Sequence, residues 1–262
     1  MDTDPEKVID LVINKTTAIS LLTHERNKKI INTSGAYYHL DKEGKYRILS
    51  GLLPRLRSVY WPGSSIYQQM KSVKTAPRAK QAKHASKGRF AGVIRGSQIH
   101  KELRDFVVLD GKNFKKNHKR LHPFSSRILR VIVETMKWMP FLPEHDIYDE
   151  DWGVGTSIDM ICLDKDGRLI LLEFKTGYKD YFENPDGYMQ HTLARMSNTI
   201  QNQATMQLTS AALILEKKYH VPVEQMRLYV IRIDDETLDI VPVDRSFVQK
   251  LGPSIYQDLL AQ

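Results

Sequence analysis

Cysteine is nearly missing from this chain, with Cys162 the single one. That excludes an internal disulfide and any four-cysteine zinc or iron–sulfur site, so a metal bound here would be held by oxygen and imidazole ligands. Long apolar runs are missing too. No stretch approaches the roughly 20 residues that span a bilayer. The opening MDTDPEKVID is acidic where a secretory or mitochondrial signal is basic. The expectation is an intracellular protein with no membrane partner. Length is also short for two large domains, and 262 residues suit one core with an extension.

Basic charge is abundant and unevenly placed. The net charge is +8. Between Lys71 and Arg120 there are 15 Lys/Arg against 3 Asp/Glu, whereas from Val221 to Gln262 there are 4 against 7. Such a distribution favours a polyanionic partner, with nucleic acid first, although charge alone leaves a solvated linker equally open. The segment KSVKTAPRAKQAKHASKGR, from Lys71 to Arg89, is poor in large apolar residues and reads as a flexible arm. It divides the chain into an N-terminal extension, 1–87, and a core domain, 88–262. Lys80, Lys83, Lys87, Arg89, Arg95, Lys115, Lys116 and Lys119 are the expected phosphate contacts.

Apolar spacing predicts a helix over 5–22, followed by aromatic-rich, irregular structure over 31–70. A helix through GSQIHKELRDFVV, a basic loop KNFKKNHKRLHP and a second helix through RILRVIVETMKWM come next, the last closed by Pro140 and Pro143. A short strand at Asp146 to Tyr148 leads into a hairpin. Then come a long helical pattern from Tyr188 to Tyr219, strands MRLYVIRI and LDIVPV, and a terminal helix. The order gives an α/β core with a central mixed β-sheet flanked by helices, plus a helical or irregular basic extension.

The hairpin, GTSIDMICLDKDGRLILLEFKTG, carries three charges in apolar strands. Gly167 suits the left-handed position of a three-residue loop, Lys165 to Gly167. That register sets Asp159 opposite Glu173, with roughly 5 Å between Cβ atoms, and Lys175 on the same face. Two carboxylates that close repel unless a cation or proton lies between them. Oxygen ligands suit Mg²⁺ or Mn²⁺, and a neighbouring lysine can hold a phosphate or activate water. These are parts of a metal-assisted phosphodiester hydrolase. A salt-bridged sheet face is the plainer alternative, and D, E and K at this spacing also arise by chance.

Asp159 followed by Glu173-Phe174-Lys175 resembles the D…(D/E)xK signature of the PD-(D/E)xK nucleases, with Ile158 where the family name has proline. Three further features resemble the branch of the RecB nuclease domain, lambda exonuclease and the mitochondrial genome maintenance exonuclease. Gly96 to His100 matches a GxxxH motif, and Gly155 precedes Asp159 as in a GxxxD turn. Gln203 stands at the glutamine of a QxxxY motif, with Gln207 where tyrosine is usual.

The resemblance covers about 88–243. It implies a restriction-endonuclease-like core and a DNA nuclease, with an exonuclease as the first expectation. A structure-specific endonuclease such as a junction resolvase, or a non-catalytic nucleic-acid-binding protein keeping the fold, are the alternatives. It implies His100, Asp159, Glu173 and the carbonyl of Phe174 as metal ligands, Lys175 in catalysis and Gln203 in support. Glu134 and Gln207 are secondary candidates, and DNA, with RNA not excluded, is the expected partner.

Overall fold

The computed structural model describes residues 24–33, 36–63, 89–109, 111–117, 120–177, 182 and 185–261, with side chains of the first long helix described from Ile94. Its strands are β1 (Ile30–Thr33), β2 (Ala36–Leu40), β3 (Tyr46–Gly51), β4 (Met139–Asp149), β5 (Val154–Leu163), β6 (Leu169–Thr176), β7 (Met226–Ile233) and β8 (Leu238–Val243). Its α-helices are α1 (Leu52–Tyr60), α2 (Arg89–Val108), α3 (Gly111–Asn117), α4 (Pro123–Leu129), α5 (Ile200–Tyr219) and α6 (Arg245–Leu260). The strands form one mixed eight-stranded sheet, an α/β core flanked by helices.

Strand β4 pairs antiparallel with β5 along its length, and β5 pairs antiparallel with β6. After α5 the chain returns as β7, parallel to β6, and β8 closes the far edge antiparallel. Because β4 occupies one side of β5, the opposite side is shared. Strand β6 holds Met160 to Leu163, and β3 joins in parallel at Val154 and Gly155. Asp159 lies in the stretch between those two partners.

Alternation along β6 feeds two cores. Leu169 and Leu171 are buried with the inner faces of α1, α5 and α6, while Ile170, Leu172 and Phe174 are buried with α2 and α4. A helix layer therefore covers each face. Helix α5 starts where Thr199 accepts the Asn202 N–H at 3.1 Å, and it ends at His220, left-handed at φ 57°.

Several expectations are corrected. Pro140 and Pro143 do not end a helix but lie within the 11-residue β4. Among the described strands β4 pairs only with β5, so a missing N–H can face the open side, and a bulge falls between Pro140 and Leu142. The helix through RILRVIVETMKWM is instead α4 followed by a π-helical turn, Arg130–Thr135. The basic loop contains α3, and α5 begins at Ile200 rather than Tyr188 because the Thr199 cap fixes its start. Residues 31–63, read as irregular, supply three strands and α1. Leu52, Leu56, Val59 and Tyr60 are buried in the same core as α5. The helix expected over 5–22 and most of the arm over 71–89 lie outside the described residues.

Candidate active site

The turn between β5 and β6 sets the geometry of the site. Gly167 has φ 75°, its N–H donates to Asp164 O at 3.1 Å, and Asp164 N–H donates to Arg168 O at 3.1 Å. The Asp164 carboxylate also accepts the N–H groups of Asp166 and Arg168, each at 2.9 Å. Pairing then runs from Leu163 with Leu169 to Met160 with Leu172. One step further puts Asp159 opposite Glu173, where the ladder stops. The strands part here, and the Phe174 N–H donates to Asp159 Oδ2 at 2.7 Å instead of to a backbone carbonyl.

Asp159 is thus held at a fork. On the partner strand β4 the residue opposite it is Glu144, whose φ of 45° marks an irregularity at the same level. Glu173 is 3% exposed. Burial, and then the nearby Asp159 charge, push its carboxyl up to about 7, opposed by the Lys175 ammonium. Lys175 Nζ donates to Glu173 Oε1 at 2.5 Å and to Gln207 Oε1 at 3.5 Å. The cluster is a carboxylate pair with one ammonium, buried at Glu173 and partly open to solvent at Lys175.

His100 arrives from the other face of the sheet. Its Nδ1 is 3.5 Å from Asp159 Oδ1, and its ring meets Phe174 edge-on at 6.0 Å. Gly96 explains how α2 comes so near. A Cβ there would stand 3.0 Å from Thr176 Oγ1, so glycine lets the helix close on the end of β6, one turn before His100. Buried Glu102 braces the same helix, accepting from Gln98 Nε2 at 2.8 Å and from the His122 N–H at 3.0 Å.

Other expected residues are placed elsewhere. Gln203 is buried, but its Nε2 donates to Asn198 Oδ1 at 2.8 Å. The amide that reaches Lys175 belongs to Gln207, one turn later on α5. Glu134 is exposed on the π-helical turn, whose buried residue is Ile132, and no hydrogen bond or ion pair described here joins it to the cluster.

Arg95 is committed to structure: its Nη2 donates to Gly177 O at 2.6 Å, and the guanidinium lies 4.8 Å over the Phe124 ring. Lys115 and Lys116 are exposed on α3. Lys80, Lys83, Lys87 and Lys119 lie outside the described residues, as does the side chain of Arg89.

A polar group that the sequence reading missed sits beside Asp159. Tyr37 OH is 3.3 Å from Ser157 Oγ, Ser157 donates to Asp146, and Asn32 Nδ2 donates to Asp146 Oδ1 at 3.1 Å. Asn32 and Tyr37 come from β1 and β2, more than a hundred residues away in sequence. The available signal was Ser157 itself, a polar residue two positions before Asp159 on the same strand.

No three His, Cys, Asp or Glu side chains among the described residues form a ready metal cage. The donor types fit a hard divalent cation all the same, with two carboxylates facing each other, a neighbouring imidazole and a backbone carbonyl. No described helix is long and apolar enough to cross a membrane.

No protein-family model matches the chain, and no curated protein does. A solved structure titled "Crystal structure of SSO0001" is similar at 14% identity over 64% of this chain and 87% of that one, with a TM-score of 0.24. A likeness that slight carries no argument about activity.

Proposed function

We propose that the chain is a metal-dependent nuclease of the PD-(D/E)xK type, with a restriction-endonuclease-like core, that hydrolyses DNA phosphodiester bonds with Mg²⁺ or Mn²⁺. The observation that supports this most is the state of Glu173. It is buried at the open end of a strand fork, faces a second carboxylate, and is pushed up to about 7 although the Lys175 ammonium and His100 oppose the shift. A structural ion pair gains little from that arrangement, because burying excess charge costs stability. A divalent cation would relieve it.

His100, Asp159, Glu173 and the Phe174 carbonyl would hold the ion. Mg²⁺ keeps several waters and asks for only one or two carboxylates. The bound ion supplies a Lewis acid for the scissile phosphate and lowers the pKa of a water. Lys175 contributes a fixed positive charge at the developing phosphorane and a hydrogen bond to the attacking water. Gln207 holds that ammonium from the α5 side. Lys115 and Lys116, with the basic segment around them, would follow the phosphate backbone by charge and with little sequence preference.

One observation favours a second reading, a nucleic-acid-binding module that keeps the fold without cleaving. Lys175 closes on Glu173, and the three potential side-chain ligands do not form a cage among the described residues. Purified protein mixed with end-labelled linear, single-stranded and closed circular DNA, with each metal and with a chelator, separates these. Metal-dependent loss of linear DNA alone indicates an exonuclease, and cleavage of the circle indicates an endonuclease. Binding with no product under any condition would overturn the nuclease assignment.

A further inference from the structure

We propose that Tyr37, on the N-terminal β1–β2 hairpin, is a positioning residue for Asp159, so that the hairpin completes the candidate site. Between Val154 and Asp159, strand β5 has lost β6 as a neighbour, because pairing with β6 ends at Met160. The N-terminal strands take over that stretch. Ser50 N–H donates to Gly153 O at 2.9 Å, and β3 pairs with Val154 and Gly155. The base of the Tyr37 side chain then packs against Gly155, where a Cβ would come within 2.6 Å of its Cγ. That contact, four residues before Asp159, gives this glycine a steric reason to be there.

The tyrosine hydroxyl reaches further along the strand. Ser157 has one proton and gives it to Asp146, so the bond between Tyr37 OH and Ser157 Oγ has the tyrosine as donor. The chain runs Tyr37 to Ser157 to Asp146, with Asn32 Nδ2 bridging Asp146 Oδ1 at 3.1 Å and Ser157 Oγ at 3.4 Å. Ser157 is thereby pinned two residues from Asp159, at the point where the carboxylate must stay turned toward Phe174 N–H and His100. Without the pin, a strand held on one side only is free to twist. Asp159 then leaves the fork.

The effect on cleavage rests on the nuclease reading, but the effect on the fork does not. Tyr37→Phe keeps the ring on Gly155 and removes only the hydroxyl, and Ser157→Ala breaks the same chain at its next member. Amide hydrogen exchange of Phe174, whose N–H is held by Asp159, should speed up roughly tenfold in each variant while the amides of Leu171 and Leu172 hold their rates. The double variant should be no faster than either single one, since both cut one chain.

In the cleavage assay kcat should fall about tenfold with KM unchanged, because misplacing a reacting group costs rate rather than binding. Unchanged Phe174 exchange in both variants overturns the proposal, and so does a uniform acceleration of all β5 and β6 amides, which would mean a merely structural role. Failure of the nuclease reading shows differently, as a wild-type protein without metal-dependent product, and leaves the exchange result to decide the role of Tyr37.

Discussion

The two ends of the β5–β6 hairpin are built to opposite ends. At the turn, every local device agrees. A left-handed Gly167 closes the loop, the Asp164 carboxylate takes two backbone N–H groups, and Leu163, Leu169, Ile170 and Leu171 are buried around it. At the other end the strands part and a side-chain carboxylate stands in for a backbone carbonyl. A glutamate that burial drives toward protonation shares the gap with a lysine and a histidine. The contrast teaches that one hairpin can be stable at one end so that it can hold charges in an unfavourable arrangement at the other.

Substitutions at the two ends should therefore behave differently. The largest effect is expected at the fork, where Asp159→Asn should lower metal-dependent cleavage by a factor on the order of 10³ or more, while thermal unfolding moves little. Equal activity in that variant would erase the distinction. Next comes the closed end. Leu171→Ala should cost roughly 2–5 kcal/mol in a denaturant titration, with cleavage per folded molecule retained. Gly167→Ala should cost about 1 kcal/mol, the strain of a left-handed alanine, again without a specific loss of activity.

Opposite in sign is Glu173→Gln measured in chelator. In the folded chain Glu173 holds its proton up to about pH 7, against an ordinary value of 4.5. Between those values the folded state binds a proton that the unfolded chain has released, so this residue makes stability fall as pH rises through that window. The variant should be more stable than wild type above pH 7, with the difference shrinking toward pH 4.5. A variant less stable at pH 8 would show that Glu173 serves the fold and not the site.

How much of this was legible in the sequence follows from how local each feature is. The hairpin register was legible because a glycine after Lys165-Asp166 specifies the loop, and the loop fixes which residues face each other. The mixed sheet followed from element order. Gln207 was harder to assign, because which turn of α5 passes Lys175 depends on how the helix sits on the sheet, and Gln203 has the same helical phase one turn earlier. Its partner, Asn198, lies in the irregular stretch that the sequence pattern ran together with the helix. The contribution of Asn32 and Tyr37 was not legible at all, since nothing in AYYHL indicates that it will cross β5 at Gly155. The prolines of β4 misled for a related reason: only the sheet shows that, among the described strands, this one pairs on a single side.

The central claim is that Asp159, Glu173 and Lys175 form a hydrolytic centre and not a salt-bridged sheet face. Lys175→Ala tests it most directly, with DNA binding and metal-dependent cleavage measured on the same folded preparation. The account predicts binding close to wild type with cleavage abolished. Metal-dependent cleavage at the wild-type rate in that variant would contradict it.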